Sequence, residues 1–377
     1  MAVASEQRHG YVRRMTIYSS ILRPVAFRLD PETAHHLAIA AGRGLGWAAG
    51  PLRAALRVED DRLASEVAGL HFPTPIGLAA GFDKSGTAVR TLAALGFGSI
   101  EIGSISIDPS LGNPKPRLWR LPQDRAIIVH YGLPNDGADA ISARLAGTHL
   151  PVPLGINLVV TNRGPGAAPL NADQIIGEYT AAAEAMAPHA DYLMMNLSCP
   201  NTVDGRDFFA DRGHLDAFLA ALDETRLRLP VFLKLSPLGG IEAIERVLAA
   251  ADGRNSVSGF MFNLPPVKPE GLRTPERVWR DLPGAVSGPP AAALADVCIR
   301  ETFRRMDRKR HLLIGAGGVF TAEDAYAKIR LGASLVQIMT VLIYQGPGVV
   351  RTITQGLADL LARDGVKNVR DAVGVDA

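Results

Sequence analysis

The sequence predicts an α/β fold, a (β/α)8 TIM barrel with an N-terminal helical extension, on three observations. From about residue 60 onward, eight short apolar runs recur, each followed by a helical stretch. Polar residues stand at the C-terminal end of each run, where a barrel assembles its site from several strands. The length of 377 residues fits one barrel of about 250 plus an appendage. A doubly wound open sheet is the structural rival, but it would gather such residues at a single crevice.

The runs span 75–79, 99–103, 153–158, 191–197, 230–235, 258–263, 311–315 and 334–339, with amphipathic segments such as 215–229 between them. The first opens into Ala80-Gly81-Phe82-Asp83-Lys84 and the second into Ser104. The third ends with Asn157, the fourth with Asn196, the fifth carries Lys234 and the sixth ends at Asn263. The seventh opens into Gly315-Ala316-Gly317-Gly318 and the eighth finishes at Met339-Thr340. Residues 61–377 are therefore assigned to the barrel and 1–60 to a helical segment. In that segment two short helical patterns, 17–29 and 32–45, flank Asp30-Pro31, with Asp30 as the expected N-cap and Pro31 in the first turn. Their apolar faces carry Arg23, Arg28 and Arg43, a pattern that can lie on a bilayer. Periodicity alone favours a hairpin that caps the barrel.

Composition narrows the function classes. Hydrophobic residues at 47% and charged residues at 21% describe a globular chain with material for a large core. A net charge of +2 with scattered Lys and Arg gives no basic stripe for nucleic acid. Two cysteines, Cys199 and Cys298, provide neither a disulfide framework nor zinc spacing, which fits a reducing, cytoplasmic setting. No run reaches the roughly 18 apolar residues of a spanning helix, and the first dozen residues lack an exported leader's apolar region. The nine histidines form no ligand set, so no metal is expected. No Gly-x-Gly-x-x-Gly follows a strand, which argues against a nicotinamide cofactor held in the Rossmann manner.

Three features carry chemistry. Gly317-Gly318 and Gly288 let backbone N–H groups approach a phosphate, and barrels often place one in the loops after strands seven and eight. Lys234 ends the buried run Val231-Phe232-Leu233 and requires an anion: either a reduced flavin, negative near N1 and O2, or a barrel carboxylate. The densest cluster is Asn196-Leu197-Ser198-Cys199-Pro200-Asn201-Thr202, which combines ligand-fixing amides with a thiol able to take a proton. Cys298, by contrast, reads as a small core residue within a helix.

Several long motifs resemble the class 2, quinone-dependent dihydroorotate dehydrogenases: Gly77-Leu-Ala-Ala-Gly-Phe-Asp-Lys84, Gly96-Phe-Gly-Ser-Ile-Glu-Ile-Gly103, Gly112-Asn-Pro-Lys-Pro-Arg117, Gly315-Ala-Gly-Gly318 and Gly332-Ala-Ser-Leu-Val-Gln337. Leu29-Asp-Pro-Glu-Thr-Ala-His35 resembles that family's N-terminal extension, two helices that meet the membrane and guide quinone to the flavin. The resemblance implies FMN contacts at Ala80, Gly81, Lys84, Ser104, Asn157, Asn196, Lys234, Asn263, Gly288, Gly317, Gly318, Met339 and Thr340. It implies Cys199 as the base, a position where class 2 members usually carry serine and class 1 members cysteine. It also implies a quinone head group near His35 and Arg120.

The departures from the family pattern gather around the substrate. Val129-His130-Tyr131-Gly132-Leu133-Pro134 replaces an asparagine-led motif, Asn263-Leu264-Pro265 replaces Thr-Asn-Thr, and Val159-Val160 replaces Gly-Lys. Lys84, Asn196 and Asn201 are expected to engage an anionic or carbonyl-bearing end, Val129, Leu133, Leu264 and Pro265 favour an apolar body, and Tyr131 is counted with them among the substrate-binding residues. The expectation is an FMN-dependent dehydrogenase that desaturates a C–C bond beside a carbonyl, on a substrate other than dihydroorotate. The alternatives are a genuine quinone-dependent dihydroorotate dehydrogenase of pyrimidine biosynthesis and a flavin-binding protein without turnover. A cytoplasmic protein, peripheral on the membrane face, is the expected setting.

Overall fold

A computed structural model describes residues 17–198 and 208–377. In chain order the strands are β1 (Ser65–Val67), β2 (Leu70–Phe72), β3 (Ile76–Leu78), β4 (Ser99–Ile105), β5 (Leu118–Leu121), β6 (Ala126–Val129) and β7 (Leu154–Leu158). They continue as β8 (Tyr192–Asn196), β9 (Val231–Leu235), β10 (Gly259–Phe262), β11 (Ala285–Ser287), β12 (Leu312–Gly315) and β13 (Leu335–Ile338). Eight of them close a parallel barrel in the order β3-β4-β7-β8-β9-β10-β12-β13 and back to β3. These are the eight runs read from the sequence. Their apolar character follows from geometry, because a parallel strand between barrel interior and outer helices is covered on both faces. In β7, β8 and β9 every residue is buried.

Alternate residues along each strand point inward and form layers. The lower interior is filled by Tyr192, Met194, Phe232, Met261, Ile314 and Leu335, closed from beneath by Val67 and Phe72 of the β1–β2 hairpin. Truncating an aromatic such as Phe232 to alanine in that plug would cost about 3 to 5 kcal/mol, through lost burial and an unfilled cavity. The same alternation then carries Asn196, Lys234, Asn263 and Gln337 to the upper interior, so period-2 patterning delivers polar groups to the mouth of the barrel. Gly155 serves this layering. A Cβ there would lie 2.1 Å from the Tyr192 ring, so only glycine leaves room for that side chain.

The N-terminal segment forms a π-helical turn Tyr18–Leu22, a short helix Arg23–Ala26, and a longer helix Pro31–Gly44. Asp30 caps the last by accepting from the Thr33 amide at 2.9 Å, with Pro31 in its first turn. A further helix, Ala49–Leu56, is not marked by the two-helix reading of this segment. One layer was also absent from that reading, a three-stranded antiparallel sheet in the order β11-β6-β5. Its strands are only three or four residues long, and β11 comes from far along the chain. No local periodicity marks so short a pairing.

Candidate functional site

The strand ends and the N-terminal helices enclose one cavity of about 840 Å3, within the range of cofactor and ligand sites. Ala80, Gly81, Lys84, Ser104, Asn196, Lys234, Asn263, Gly288, Gly317, Gly318, Met339 and Thr340 all line it. So do Val129, Tyr131, Leu133, Leu264 and Pro265, together with His35 and Arg120. Cys199 and Asn201 lie outside the described residues. Asn157 does not line the cavity; it is fully buried one layer beneath, where its Oδ1 accepts from the Ser104 hydroxyl and its Nδ2 donates to Glu101 Oε1 at 3.0 Å. Val159 and Val160 are likewise buried away from the lining, so their apolar character belongs to packing.

At one end of the cavity the loops supply backbone. Gly318 has φ +78°, and a Cβ there would fall 2.5 Å from Ala292 Cβ, so only glycine lets this loop close against the helix Ala292–Arg305. Gly288 has φ +115° and opens the turn leading into that helix. Ser287 Oγ and Thr340 Oγ1 meet at 2.6 Å between the two loops. Glycine-rich backbone and hydroxyls at converging helix starts are the chemistry that receives a phosphate. Further in, Lys234, next to last in its buried strand, lines the cavity wall, where a cation suits an anionic ligand. Phosphate loops, a buried lysine and a row of amides together fit FMN.

The neck toward the N-terminal helices is electrostatically built. Asp83 accepts from the amides of Thr87 and Ala88 at 2.9 and 2.7 Å, which fixes the loop carrying Lys84. Lys84 Nζ stands 3.3 Å from His35 Nε2 and 3.9 Å above the centroid of the Tyr131 ring. Burial lowers the Lys84 ammonium to about 8, with Glu32 and Asp83 opposing that shift. Burial also holds the His35 imidazole well below its usual range, reinforced by the charges of Lys84 and His36, so the neutral ring accepts from the ammonium. The Tyr131 hydroxyl is buried with no hydrogen-bond partner among the described residues, and burial raises it far above the ordinary phenol range.

The helix Pro31–Gly44 is anchored to the barrel by an ion pair that sequence reasoning missed. Arg117 donates to Glu32 through Nε at 3.2 Å and Nη2 at 2.8 Å, with both side chains buried, and its Nη1 reaches the carbonyls of Leu111 and Asn113. Burial pushes the Glu32 carboxyl up, but the Arg117 bonds and charge outweigh it and hold the group below its usual value. Arg120 donates to the Leu29 carbonyl at 2.9 Å and lies over the Phe27 ring at 4.7 Å, which ties β5 to the linker between helices. Beyond this neck the lining is apolar: Leu22, Val25, Leu29, Leu37, Ala38, Ala41 and Leu45. Several of these, with Ile17, Ile21 and Trp47, are also exposed on the outer surface, and Trp47 is 84% exposed. Among the described residues no helix is long and apolar enough to cross a membrane, and no cluster of His, Cys, Asp or Glu could hold a metal.

The family model for dihydroorotate dehydrogenase matches residues 62–361. A protein of Sphingopyxis alaskensis named dihydroorotate dehydrogenase (quinone) is 40% identical over 364 residues, covering 95% of this chain and 97% of its own. Namesakes from Haloarcula marismortui and Mycobacterium ulcerans are 39% and 40% identical over 360 and 363 residues, covering 94% and 95% of this chain and 98% and 97% of theirs. The crystal structure of DHODH from Eimeria tenella in complex with ferulenol superposes with a TM-score of 0.79 at 30% identity, covering 93% of this chain and 98% of that one.

Proposed function

Because the chain belongs to the dihydroorotate dehydrogenase family, FMN-dependent oxidoreductases acting on CH–CH bonds, we propose that it oxidises dihydroorotate and delivers the electrons to a quinone. The observation that carries this reading is the continuous cavity running from the polar strand ends to the apolar faces of the N-terminal helices. A lipophilic acceptor entering between those helices meets His35 and Arg120 before it reaches the barrel mouth. Bound FMN supplies the acceptor for the substrate hydride. The chain's own residues do the rest. Gly288, Gly317, Gly318 and Thr340 hold the phosphate end, and Lys234 faces the anionic edge of the ring. Lys84 and Asn196 orient the substrate's carboxylate or carbonyl, with Asn201 assigned to the same task. Cys199 takes the proton as general base, a role a thiol can fill when transfer is concerted or its thiolate is favoured. The exposed apolar residues Ile17, Ile21, Val25, Leu37 and Trp47, on the segment 1–60, would rest against the cytoplasmic membrane surface that holds the quinone.

A second reading rests on a specific observation. Val129, Leu133, Leu264 and Pro265 all face the cavity and offer no side-chain hydrogen bond. A small polar ring would leave its own donors and acceptors unpaired against them, at roughly 1 to 3 kcal/mol each. That wall suits a carbonyl or carboxylate substrate with a more apolar body.

One experiment separates the readings. Anaerobic mixing of the yellow protein with dihydroorotate should bleach the flavin within the turnover time, and a quinone should restore the colour. A flavin that dihydroorotate leaves oxidised, yet that dithionite reduces and quinone reoxidises, refutes dihydroorotate and favours the second reading. In Cys199→Ala, FMN should remain bound while reduction by substrate collapses; undiminished reduction would remove the assigned base.

A further inference from the structure

Beneath the cavity lies a carboxylate that the reaction above does not use. Glu101 is in β4 between Ile100 and Ile102, with no exposed surface. It accepts three hydrogen bonds: from Asn157 Nδ2 on Oε1 at 3.0 Å, and on Oε2 from Gln337 Nε2 at 2.8 Å and the Tyr192 hydroxyl at 3.2 Å. A carboxylate buried mid-strand is costly unless its acceptors are occupied, and here side chains from three other barrel strands, the adjacent β7 and the more distant β8 and β13, occupy them.

From Asn157 the hydrogen bonds continue upward to the cavity wall. Ser104 donates its hydroxyl to Asn157 Oδ1, Asn196 Nδ2 donates to Ser104 Oγ at 3.2 Å, and Asn263 Nδ2 donates to Asn196 Oδ1 at 3.0 Å. The Leu264 amide donates in turn to Asn263 Oδ1 at 2.9 Å. Every donor in this chain of five bonds points toward Glu101. Side-chain amides and hydroxyls can each be turned to run such a chain in either direction. A group that only accepts at the lower end, Glu101, and a backbone N–H that only donates at the upper end, Leu264, together remove that freedom, and Asn263 Nδ2 is held a second time by the Ser198 carbonyl at 3.1 Å. Turning Asn157 over would press its carbonyl oxygen against the carboxylate, and the reversal would propagate to Ser104 and Asn196. Bonds to a carboxylate are also stronger than neutral ones, so the terminus outweighs any single link.

We propose that Glu101 is a positioning residue of the active site: with Asn263 held from above by the Leu264 amide and the Ser198 carbonyl, it closes the chain from below and fixes how Asn157, Ser104 and Asn196 present themselves to the bound ring and substrate; the inference rests on the reading that FMN lies in this cavity. Glu101 touches neither ligand and acts through Asn157, and through Gln337, which borders the cavity while its Nε2 is held on the carboxylate. This assigns a purpose to the withdrawn position of Asn157. It joins the buried carboxylate to the cavity wall rather than meeting the ligand itself.

The test is Glu101→Gln in the FMN-loaded protein. Glutamine preserves shape but puts an N–H where the three donors of Asn157, Gln337 and Tyr192 need an acceptor, so at least one of these bonds is lost and the chain is no longer held at its lower end. The folded variant should keep one FMN per chain with shifted visible absorption maxima and reduction potential. Flavin reduction by substrate should slow about tenfold or more. Glu101→Asp, which stays acceptor-only, should recover part of both. A folded, FMN-bound E101Q with unchanged spectrum, potential and reduction rate overturns the proposal. Should E101Q not accumulate in folded form, Asn157→Ala severs the chain one link higher and should produce the same spectral shift; a folded N157A holoprotein with the parental spectrum and potential overturns it equally. Failure of the underlying reading is distinguishable, because it would leave the unmodified protein colourless and unable to take up FMN.

Discussion

Replacing Lys84 with methionine tests the electrostatics of the neck. The ammonium is held at about 8 instead of its ordinary 10.5, principally by burial, a difference on the order of 3 kcal/mol against the charged form. At pH 7 the lysine is protonated in both folded and unfolded chains, so the folded state carries the whole penalty. Between pH 8 and 10.5 the unfolded chain binds more protons than the folded one, and stability rises with pH across that window. Methionine keeps the length of the side chain and removes the charge. K84M should therefore be more stable than the parent by up to about 3 kcal/mol at pH 7, with the advantage fading as pH passes through that window. Denaturant midpoints of the FMN-free proteins at several pH values measure this directly, without the change in FMN binding that loss of Lys84 would bring. The same variant should bind a carboxylate substrate less well, raising KM, because the cation beside His35 and Tyr131 is gone. No gain in stability at pH 7, or a gain that does not change with pH, refutes the reasoning.

Three further outcomes are expected. Glu32→Ala leaves Arg117 charged and buried without its partner, so stability should fall by about 3 to 5 kcal/mol, read from urea midpoints; because Glu32 is held below its usual value, the parent's advantage over E32Q should disappear as pH falls through the acid range. Lys234→Ala should weaken FMN retention or slow flavin reduction by tenfold or more, measured by flavin fluorescence titration and stopped flow, since the charge opposite the reduced ring is lost. Val129→Asn should raise kcat/KM for dihydroorotate by about tenfold or more if the apolar wall limits its binding, and steady-state assay of parent and variant decides it.

Local patterning made much of the site legible. Lys84, Ser104, Asn196, Lys234 and Asn263 follow apolar strand runs, and a barrel brings strand ends to one mouth, so their convergence could be read without coordinates. Gly288 and Gly318 were legible for a similar reason, since glycine in loops feeding helices marks backbone that something approaches closely. The Glu32–Arg117 pair was not, because nothing local links a first-turn glutamate to an arginine so far along the chain. Its one sequence signal was a charged residue in each of two motifs with no assigned role.

By itself the sequence determined the eight strands, the Asp30 cap and the polar residues at each strand end, because all are written in periods of two or 3.6 residues and in neighbouring side chains. The tertiary structure alone decided the β11-β6-β5 sheet that carries Val129 to the cavity, and the depth at which each polar residue sits. Asn157 and Asn196 both stand near the end of an apolar run in the sequence, yet Asn157 pairs in register with Met194, two residues below Asn196, and is sealed beneath Ser104 while Asn196 lines the cavity. That difference follows from strand tilt and register around the closed barrel, which set the height of every inward residue and depend on all eight strands at once.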